Sequence, residues 1–134
     1  MKISKILSKN DTGESGGHQS GFHIPNTMIH LFPELPRNIK NPRIKLIFKD
    51  TLSQEWPFNY IYYNNRRFGG TRDEYRLTCT ASYIKRNKLR SGDSISLSQV
   101  DGEYFISHAK NHSKKEITKG NKIVISKKWK VIKI

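Results

Sequence analysis

The side chains best suited to chemistry in this chain are Arg72, Glu74 and Arg76, which alternate along a polar stretch. In a β-strand, alternate residues project from the same face, so the three groups would lie side by side. A guanidinium can donate two hydrogen bonds to guanine, and a carboxylate can accept one from the amino group of cytosine. The spacing therefore predicts a surface that can contact base edges. A solvent-exposed hairpin with internal Arg–Glu ion pairs is the open alternative.

A second polar segment, residues 9–21, has the sequence KNDTGESGGHQSG and contains four glycines. Glycine lets backbone amides come close to a phosphate, and short polar side chains can bond phosphate or sugar oxygens. Its polar side chains include Thr12, Ser15, His18 and Gln19, and glutamine can also bond the edge of adenine. Because loops of this length are uncommon inside small domains, we predict a long functional loop.

Catalytic patterns are incomplete in this sequence. His108 and Lys110 begin the His-x-Lys pattern of phospholipase D-type phosphodiesterases, but Lys115 stands where an aspartate is required. Asp101 and Glu103 are the closest carboxylate pair for a magnesium-dependent nuclease, yet the glycine between them favours a hairpin turn. We therefore predict that the chain is not an enzyme.

Metal and thiol chemistry also lack partners in the sequence. His108 and His112 are spaced four residues apart, but no third ligand accompanies them. Cys79 is the one cysteine, so it cannot form an internal disulfide, and we expect a small buried side chain. The sequence therefore predicts no metal ion and no cofactor.

The net charge of the chain is strongly positive, with 25 Lys and Arg side chains against 11 Asp and Glu, a formal charge of +14. Residues 1–67 carry 10 basic and 5 acidic side chains, and residues 68–134 carry 15 and 6, so the excess is not a detachable tail. Such an excess repels itself in a folded protein and favours an anionic partner, nucleic acid first. A lysine-rich surface without a partner is the simpler alternative. A membrane surface is less favoured, because no basic amphipathic stretch is present.

The apolar pattern predicts a single β-domain over residues 1–134. Short alternating or β-branched runs between turn residues predict seven or eight strands, at a spacing typical of an open barrel. The expected strands are residues 2–7, 22–24, 43–49, 58–63, 95–97, 104–106, 123–125 and 129–134. Two short helices are expected, one capped by Asn26 and one over residues 81–89. No apolar run could span a bilayer or serve as a signal peptide, so we expect a soluble protein that is not secreted.

The polar insert at residues 64–76 is expected to form a hairpin arm. Gly69 and Gly70 would supply the positive φ angles of a tight reversal, and Pro57 would fix the start of the strand before it. An extended two-stranded arm fits the major groove of duplex DNA.

Two motifs in this sequence resemble the N-terminal effector-binding domain of EcoRII-type restriction endonucleases. The first is NDTGESGGHQSGFHIP at residues 10–25, and the second is YNNRRFGGTRDEYRLT at residues 63–78. The resemblance extends to the specificity domains of LlaJI-type and McrB-like restriction systems and to the plant B-three transcription-factor domain. Outside the two motifs, the rhythm of strands is what matches.

The resemblance implies a mainly β fold, a B-three-like DNA-binding pseudobarrel that is open and seven- to eight-stranded, with two short helices. Two protruding arms, the N-arm (residues 9–21) and the C-arm (residues 64–76), would enter the major groove of double-stranded DNA. The implied base-reading residues are His18, Gln19, Arg72, Asp73, Glu74 and Arg76. The implied contacts to the DNA backbone are Lys5, Lys9, Thr12, Ser15, His23, Arg66, Arg67, Lys85, Arg86 and Lys88.

The family separates recognition of DNA from its cleavage. The resemblance therefore implies a sequence-specific DNA-binding module of a cytoplasmic, prokaryotic restriction-modification system in phage defence, with no catalysis of its own. Hydrolysis would belong to a nuclease or a nucleotide-hydrolysing motor, in another domain or subunit, and the chain would be a fragment of a larger restriction protein. A basic RNA-binding barrel and, less favoured, a small metal-dependent nuclease are the alternatives.

Overall fold

The structure, a computed structural model, describes residues 1–16, 21–111 and 129–132, and these residues form one eight-stranded sheet. The strands are β1 (Lys2–Ile6), β2 (Phe22–Ile24), β3 (Arg43–Lys49), β4 (Glu55–Tyr63), β5 (Glu74–Thr78), β6 (Ser94–Val100), β7 (Glu103–Ala109) and β8 (Trp129–Ile132). Their order in the sheet is β2-β5-β4-β3-β7-β6-β1-β8. Every neighbouring pair is antiparallel except β3 and β7, which run parallel over two residue pairs. The predicted seven or eight strands are confirmed, whereas the strand expected at residues 123–125 lies outside the described residues.

Four short helices connect the described strands. Helices α1 (Lys9–Thr12) and α2 (Ala81–Arg86) are α-helical, and η1 (Asn26–Leu31) and η2 (Asn65–Phe68) are 3₁₀ helices. Helices η1 and α2 correspond to the two helices expected from the sequence, although the residue that precedes η1 is Pro25 rather than Asn26. Helices α1 and η2 lie in segments predicted to be a loop and a hairpin.

Helix α1 exists because Ser8 caps it. The Ser8 hydroxyl accepts a hydrogen bond from the Asp11 backbone amide at 3.2 Å, and the Asp11 carboxylate accepts one from the Ser8 amide at 2.9 Å. This reciprocal capping box satisfies two amides that would otherwise lack partners at the helix start. The glycine-rich composition that favoured a loop applies only after Thr12, because Gly13 ends the helix with a left-handed backbone.

The apolar core lies on one face of the curled sheet. Strand β5 alternates buried and partly exposed residues, with Tyr75 and Leu77 in the core and Glu74 and Arg76 on the outer face. Tyr75 stacks on the core residue Tyr62, with ring centroids 4.3 Å apart. This packing fixes which side of β5 each side chain occupies, and it places the charged residues outside.

The two ends of the sheet, β2 and β8, are joined by side chains. These strands are not neighbours in the hydrogen-bonded order. Instead, Nε1 of the fully buried Trp129 donates a hydrogen bond to the His23 carbonyl oxygen at 2.9 Å. The Lys5 ammonium group lies 5.7 Å from the ring centres of both Phe22 and Trp129. The sheet is therefore drawn into a barrel whose seam is bridged by side chains.

Strand β4 begins earlier than predicted and contains Pro57, which lies opposite Ile47 of β3. Strand β5 pairs with β4 only from Asn59 to Tyr63, so no strand lies beside β4 on that edge at Pro57. The missing amide hydrogen of Pro57 therefore costs no hydrogen bond between strands, so β4 can continue through Pro57 instead of starting after it.

Two sequence expectations, one about a turn and one about the burial of Cys79, have opposite outcomes. The turn predicted between Asp101 and Glu103 is confirmed, since Asp101 and Gly102 have positive φ angles of 51° and 83°, as the tight turns of β-hairpins require. The expectation that Cys79 is buried is wrong. Cys79 is exposed and has a φ of 68°, because it lies in the turn between β5 and α2.

The Trp129 bond predicts that closure of the barrel contributes to stability. We expect Trp129→Phe to lower the free energy of unfolding by about 1–3 kcal/mol, because the His23 carbonyl loses its donor. The matched control is Val131→Ala on the same strand, which alters a half-exposed side chain and should change stability by less than about 0.5 kcal/mol. Urea denaturation of the two variants measures the difference, and equal losses would contradict the proposed closure.

Candidate nucleic-acid interface

The three alternating residues of the second motif come together at the start of β5. Arg72 Nε donates a hydrogen bond to Glu74 Oε2 at 2.7 Å, and Arg76 Nη1 lies 3.4 Å from Glu74 Oε1. The guanidinium carbon of Arg72 is 3.9 Å from the ring centre of Tyr63. One carboxylate therefore holds two guanidinium groups on the outer face of the sheet.

Arg72 and Arg76 differ in how much of each side chain solvent can reach. The Arg72 side chain is 41% exposed, whereas the Arg76 side chain is 12% exposed. Arg76 Nη2 also donates a hydrogen bond to the Gly21 carbonyl oxygen at 3.2 Å. Arg76 therefore links the C-arm to the end of the N-arm, and Arg72 is the more accessible of the two.

The carboxyl group of Glu74 is electrostatically set to remain ionised. Burial raises its pKa, but the hydrogen bond from Arg72 and the charges of Arg76, Arg72 and His23 lower it, and the net pKa lies below the usual value. His23 Nε2 is 3.9 Å from Glu74 Oε1. An ionised carboxylate can only accept hydrogen bonds, so Glu74 presents acceptors between two donors.

The end of the N-arm is pressed against β5 at Gly21. Its φ angle is +85°, and a Cβ atom there would lie 2.1 Å from the Leu77 carbonyl oxygen. Only glycine fits this approach without moving the backbone of β5. The close contact keeps the arm's return point beside Arg76.

The C-arm differs from the extended two-stranded arm that the sequence predicted. Strand β4 ends at Tyr63 and β5 begins at Glu74, so the described arm is a turn built on η2. The Arg66 amide bonds the Arg72 carbonyl oxygen at 2.9 Å, which closes the turn. Gly69 has the expected positive φ of 93°, but Gly70 does not.

The fully buried side chain of Asn64 anchors the C-arm to the chain before β3. Its Nδ2 donates to the Ile39 carbonyl oxygen at 2.8 Å, and its Oδ1 accepts from the Asn41 amide at 2.7 Å. The base of the arm is therefore held by hydrogen bonds on the side away from β5.

Asp73 and Glu74 are both implied base-reading residues, but their side chains lie on opposite faces of the sheet. Asp73 Oδ1 accepts a hydrogen bond from the hydroxyl of Tyr62, a core-face residue, at 2.7 Å. Chiefly through this bond to Asp73, the pKa of Tyr62 is raised. Arg66 Nη1 lies 3.6 Å from Asp73 Oδ2, and the Arg66 side chain is 71% exposed. Asp73 thus lies apart from the Arg72–Glu74–Arg76 cluster.

The prediction that Lys5 contacts the DNA backbone is not supported by its position. Lys5 is buried, and its Nζ lies 2.8 Å from Oδ2 of the equally buried Asp11. An ammonium group in this setting is already neutralised and cannot reach a phosphate. Lys5 instead fixes α1, and with it the beginning of the N-arm, to the barrel.

The described part of the N-arm is fastened to the body rather than protruding. Glu14 accepts hydrogen bonds from the Ser91 amide at 2.7 Å and the Thr12 hydroxyl at 3.0 Å. The pKa of Glu14 is lowered, chiefly by the hydrogen bond from the Ser91 amide, which outweighs the opposing effect of burial. The Ser15 hydroxyl donates to Asn10 Oδ1 at 3.4 Å. His18 and Gln19, the predicted base-reading residues of this arm, lie outside the described residues.

A basic groove lies between α1 and α2. It has a volume of about 580 Å³, and its lining includes Thr12, Lys85, Lys88 and Arg90. Lys85 and Lys88 are exposed as the sequence analysis expected for phosphate contacts, whereas Arg86 is exposed outside this groove. Arg90 was not among the predicted phosphate contacts, because it lies beyond the short basic helix expected at residues 81–89. It lies 3.6 Å from Glu14 Oε2 and so connects the groove to the N-arm.

Neither a metal-binding cluster nor a membrane-spanning helix is found among the described residues. Within residues 1–16, 21–111 and 129–132, no three His, Cys, Asp or Glu side chains lie close enough to share a metal ion. His108 Nδ1 is 2.9 Å from the Tyr83 hydroxyl, and His112 lies outside these ranges. Over the same ranges, no helix has the length and apolar character needed to cross a bilayer.

Comparison with known proteins identifies relatives in bacteria and plants. A model of the family described as "Restriction endonuclease EcoRII, N-terminal" matches residues 1–96. Type II restriction enzyme EcoRII from Escherichia coli is 43% identical over 79 residues, which cover 55% of this chain and 19% of the enzyme. Auxin response factor 2 from Oryza sativa subsp. japonica is 33% identical over 101 residues, 74% of this chain and 13% of that protein. This chain therefore spans less than a fifth of each of these relatives.

The fold is shared with a solved plant protein. The structure titled "Arabidopsis FUS3-DNA complex" matches with a TM-score of 0.63 and 22% identity, covering 80% of this chain and 94% of that chain. The likeness supports the open pseudobarrel that the sequence predicted, with its sheet curled about one core.

The Glu74 cluster predicts a measurable change in acidity. We expect Arg72→Ala to raise the pKa of Glu74, because the mutation removes a hydrogen bond and a charge that both favour the carboxylate. A carboxyl whose pKa is lower in the folded than in the unfolded protein stabilises the fold above its unfolded pKa, and this stability is lost as pH falls through the folded pKa. The loss of stability on acidification should therefore be smaller in the variant than in the unmodified chain. Side-chain carbon NMR titration measures the pKa, with Arg90→Ala as the control that leaves Glu74 unchanged.

The buried Lys5–Asp11 pair predicts an asymmetric effect of mutation. Lys5→Met should lower the free energy of unfolding by about 3–5 kcal/mol, because it leaves the Asp11 carboxylate buried without its cation. The double variant Lys5→Met with Asp11→Asn should recover more than about 1 kcal/mol, since no uncompensated charge remains and the side-chain oxygen of the new asparagine can still accept from the Ser8 amide. Urea denaturation of both proteins provides the test, and a double variant less stable than the single one would contradict it.

Proposed function

This chain belongs to the family of EcoRII N-terminal domains, and we propose that it binds a specific sequence in double-stranded DNA through the major groove. The observation that carries this proposal is the cluster in which Glu74 holds Arg72 and Arg76 on the outer face, beside the end of the N-arm. It places two donors and one acceptor side by side at the start of β5, which is the pattern that direct contacts to bases require.

Arg72 is the principal base-reading residue in this proposal. Its Nε is bonded to Glu74 and its plane lies over the Tyr63 ring, so the terminal nitrogens point away from the bond already made. Two such nitrogens can donate to O6 and N7 of one guanine. Because the guanidinium is already positioned, little side-chain entropy is lost when it binds.

Glu74 accepts a hydrogen bond from a cytosine amino group in the same interface. Each of its oxygens retains a lone pair beyond the bonds to arginine, and its depressed pKa keeps the group charged. Arg76 acts chiefly by contacting both the Glu74 carboxylate and the Gly21 carbonyl oxygen, which fixes their relative positions. His18 and Gln19 complete the set of proposed base-contacting residues, whereas Asp73, bonded to Tyr62 on the other face, supports the C-arm instead.

The DNA backbone would be held on both sides of this cluster. Arg66 and Arg67 in the C-arm, and Lys85 and Lys88 beside the N-arm, are all exposed. Their contacts with phosphates would release counterions and make binding depend on salt. The remaining proposed backbone contacts are Lys9, Thr12, Ser15, His23 and Arg86, and Arg90 takes the place of Lys5.

Binding of RNA is not favoured by the positions of the aromatic residues. Recognition of single-stranded RNA uses aromatic rings whose faces are open for stacking. Tyr75, one of the two candidates in the sequence, is buried against Tyr62, while the other, Phe68, is half-exposed. One available ring is a small platform compared with the charged cluster.

The biological role that we propose is the targeting of a restriction endonuclease system in a prokaryotic cytoplasm. The identity with the EcoRII enzyme over a minor part of its length supports a recognition module within a larger protein. Hydrolysis of DNA would then belong to a separate nuclease or a nucleotide-driven motor, as a domain or a subunit. Residues 1–134 would form a single recognition domain within that protein.

The test of base recognition begins with selection of bound duplexes from a random pool at a stated salt concentration. On the selected site, Arg72→Ala should weaken binding by about 1–3 kcal/mol and reduce discrimination against altered sites, because a base contact is lost. Fluorescence anisotropy with matched and altered duplexes measures both effects. An equal loss of affinity on every sequence would contradict base recognition by Arg72.

Arg67→Ala is the matched control for the same experiment. It removes an exposed guanidinium from the same arm, so binding should weaken by a similar factor on all sequences and the salt dependence should fall by about one charge. Incubation of the protein with supercoiled plasmid and Mg²⁺ should give no nicking. Nicking that disappears with EDTA would instead support the nuclease alternative.

A further inference from the structure

A two-part cleft lies between η1 and the core-face side of the C-arm, opposite the Arg72–Glu74–Arg76 cluster. Its polar half has a volume of about 360 Å³ and its apolar half about 410 Å³. The two halves are continuous because Ile29, Arg37 and Tyr75 line both. The proposed contacts with duplex DNA do not use Arg37 or the apolar half.

The polar half carries a surplus of positive charge. Arg37, Arg66 and Arg67 line it, and Asp73 is its one carboxylate among the described residues. Asp73 already accepts a hydrogen bond from Tyr62 and lies near Arg66. Arg37 is exposed and has no carboxylate partner in the described part of the chain. Three guanidinium groups around one occupied carboxylate favour a bound anion, and arginine suits the planar, multiple hydrogen bonds of a phosphate.

The apolar half is a recess beside the aromatic core. Phe32, Pro33 and Leu35 form its apolar walls, together with parts of Tyr60 and Tyr75. His30 and Glu34 lie at the same recess and can donate or accept hydrogen bonds. A flat ring with apolar faces and polar edges can pack against these walls while its edge bonds the exposed His30 and Glu34 side chains.

We propose that this cleft binds one unpaired nucleotide, with its phosphate among the three arginines and its base in the apolar half. Arg37 lies where the two halves meet. Its guanidinium group contacts the phosphate there and separates the phosphate from the apolar half. The shared chemistry is that of a 5′-phosphorylated nucleoside, supplied either as the free monophosphate or at the unpaired end of a strand. The cleft shares Arg66 and Arg67 with the proposed duplex interface, whereas Arg37 and the apolar half belong to the cleft alone.

The first experiment compares small ligands with the purified chain by isothermal titration calorimetry. Deoxyadenosine 5′-monophosphate should bind at least about tenfold more tightly than either deoxyadenosine or inorganic phosphate, because only the monophosphate fills both halves. A monophosphate that binds no more tightly than inorganic phosphate would overturn the proposal. A peptide of alternating Asp and Leu that binds more tightly than the monophosphate would also overturn it, since the cleft would then favour a protein partner.

Oligonucleotides distinguish the two sources of the ligand. A five-nucleotide single strand with a 5′-phosphate should bind more tightly than the same strand without it if strand ends are the natural ligand. If the phosphorylated strand is excluded while the free monophosphate binds, the free nucleotide is the ligand. Either result supports the nucleotide site, and binding of neither would overturn it.

Variants locate the binding in the cleft. Arg37→Ala should weaken binding of the monophosphate by about tenfold, because a charge-assisted hydrogen bond is lost. Leu35→Ala should weaken binding of the monophosphate but not of inorganic phosphate. Arg43→Ala removes another exposed arginine, on β3, and should leave monophosphate binding unchanged. Equal losses in Arg37→Ala and Arg43→Ala would show a general charge effect and overturn the site.

Duplex binding by the same variants separates this inference from the proposed function. Arg37→Ala should bind the selected duplex as the unmodified chain does, because the Arg72 cluster is untouched. Loss of monophosphate binding in every protein, with duplex binding intact, would refute the cleft and leave duplex recognition standing. Loss of duplex binding in Arg37→Ala would assign Arg37 to the duplex interface and overturn a separate site.

Discussion

The Glu74 carboxylate is the interaction on which the outer face of this barrel depends. Two guanidinium groups that converge on one point repel each other, and an anion between them offsets that repulsion. Glu74 is that anion, and the link from Arg76 to the Gly21 carbonyl carries the arrangement across to β2. The geometry of both arms at their common base is thus set by one acidic side chain.

The opposite end of the N-arm is held by a second, buried set of contacts. Lys5 pairs with Asp11 beneath α1, and the same ammonium group lies beside the ring of Trp129. Trp129 in turn bonds the backbone of β2 at His23. Both ends of the arm are therefore fixed to the seam of the barrel.

The sequence predicted those features that depend on local patterns. Alternation along β5 placed Glu74 and Arg76 on one face because the side-chain period of a strand is two, and the Asp-Gly pair marked the hairpin turn before β7. Lys5 was misplaced because lysine is rarely buried, and its burial depends on Asp11, which lies in another element. Asp73 was grouped with Glu74 through the family resemblance, although neighbouring residues of an extended chain point to opposite faces. Arg90 was missed because only the folded chain brings it to Glu14.

The position of β1 has a consequence for synthesis of the protein. This strand lies between β6 and β8, so the first described strand is paired with the last described one. A nascent chain that has not yet released Trp129 from the ribosome lacks the bond that ties the seam to β2. The seam between β2 and β8 can therefore close only after translation has passed that residue.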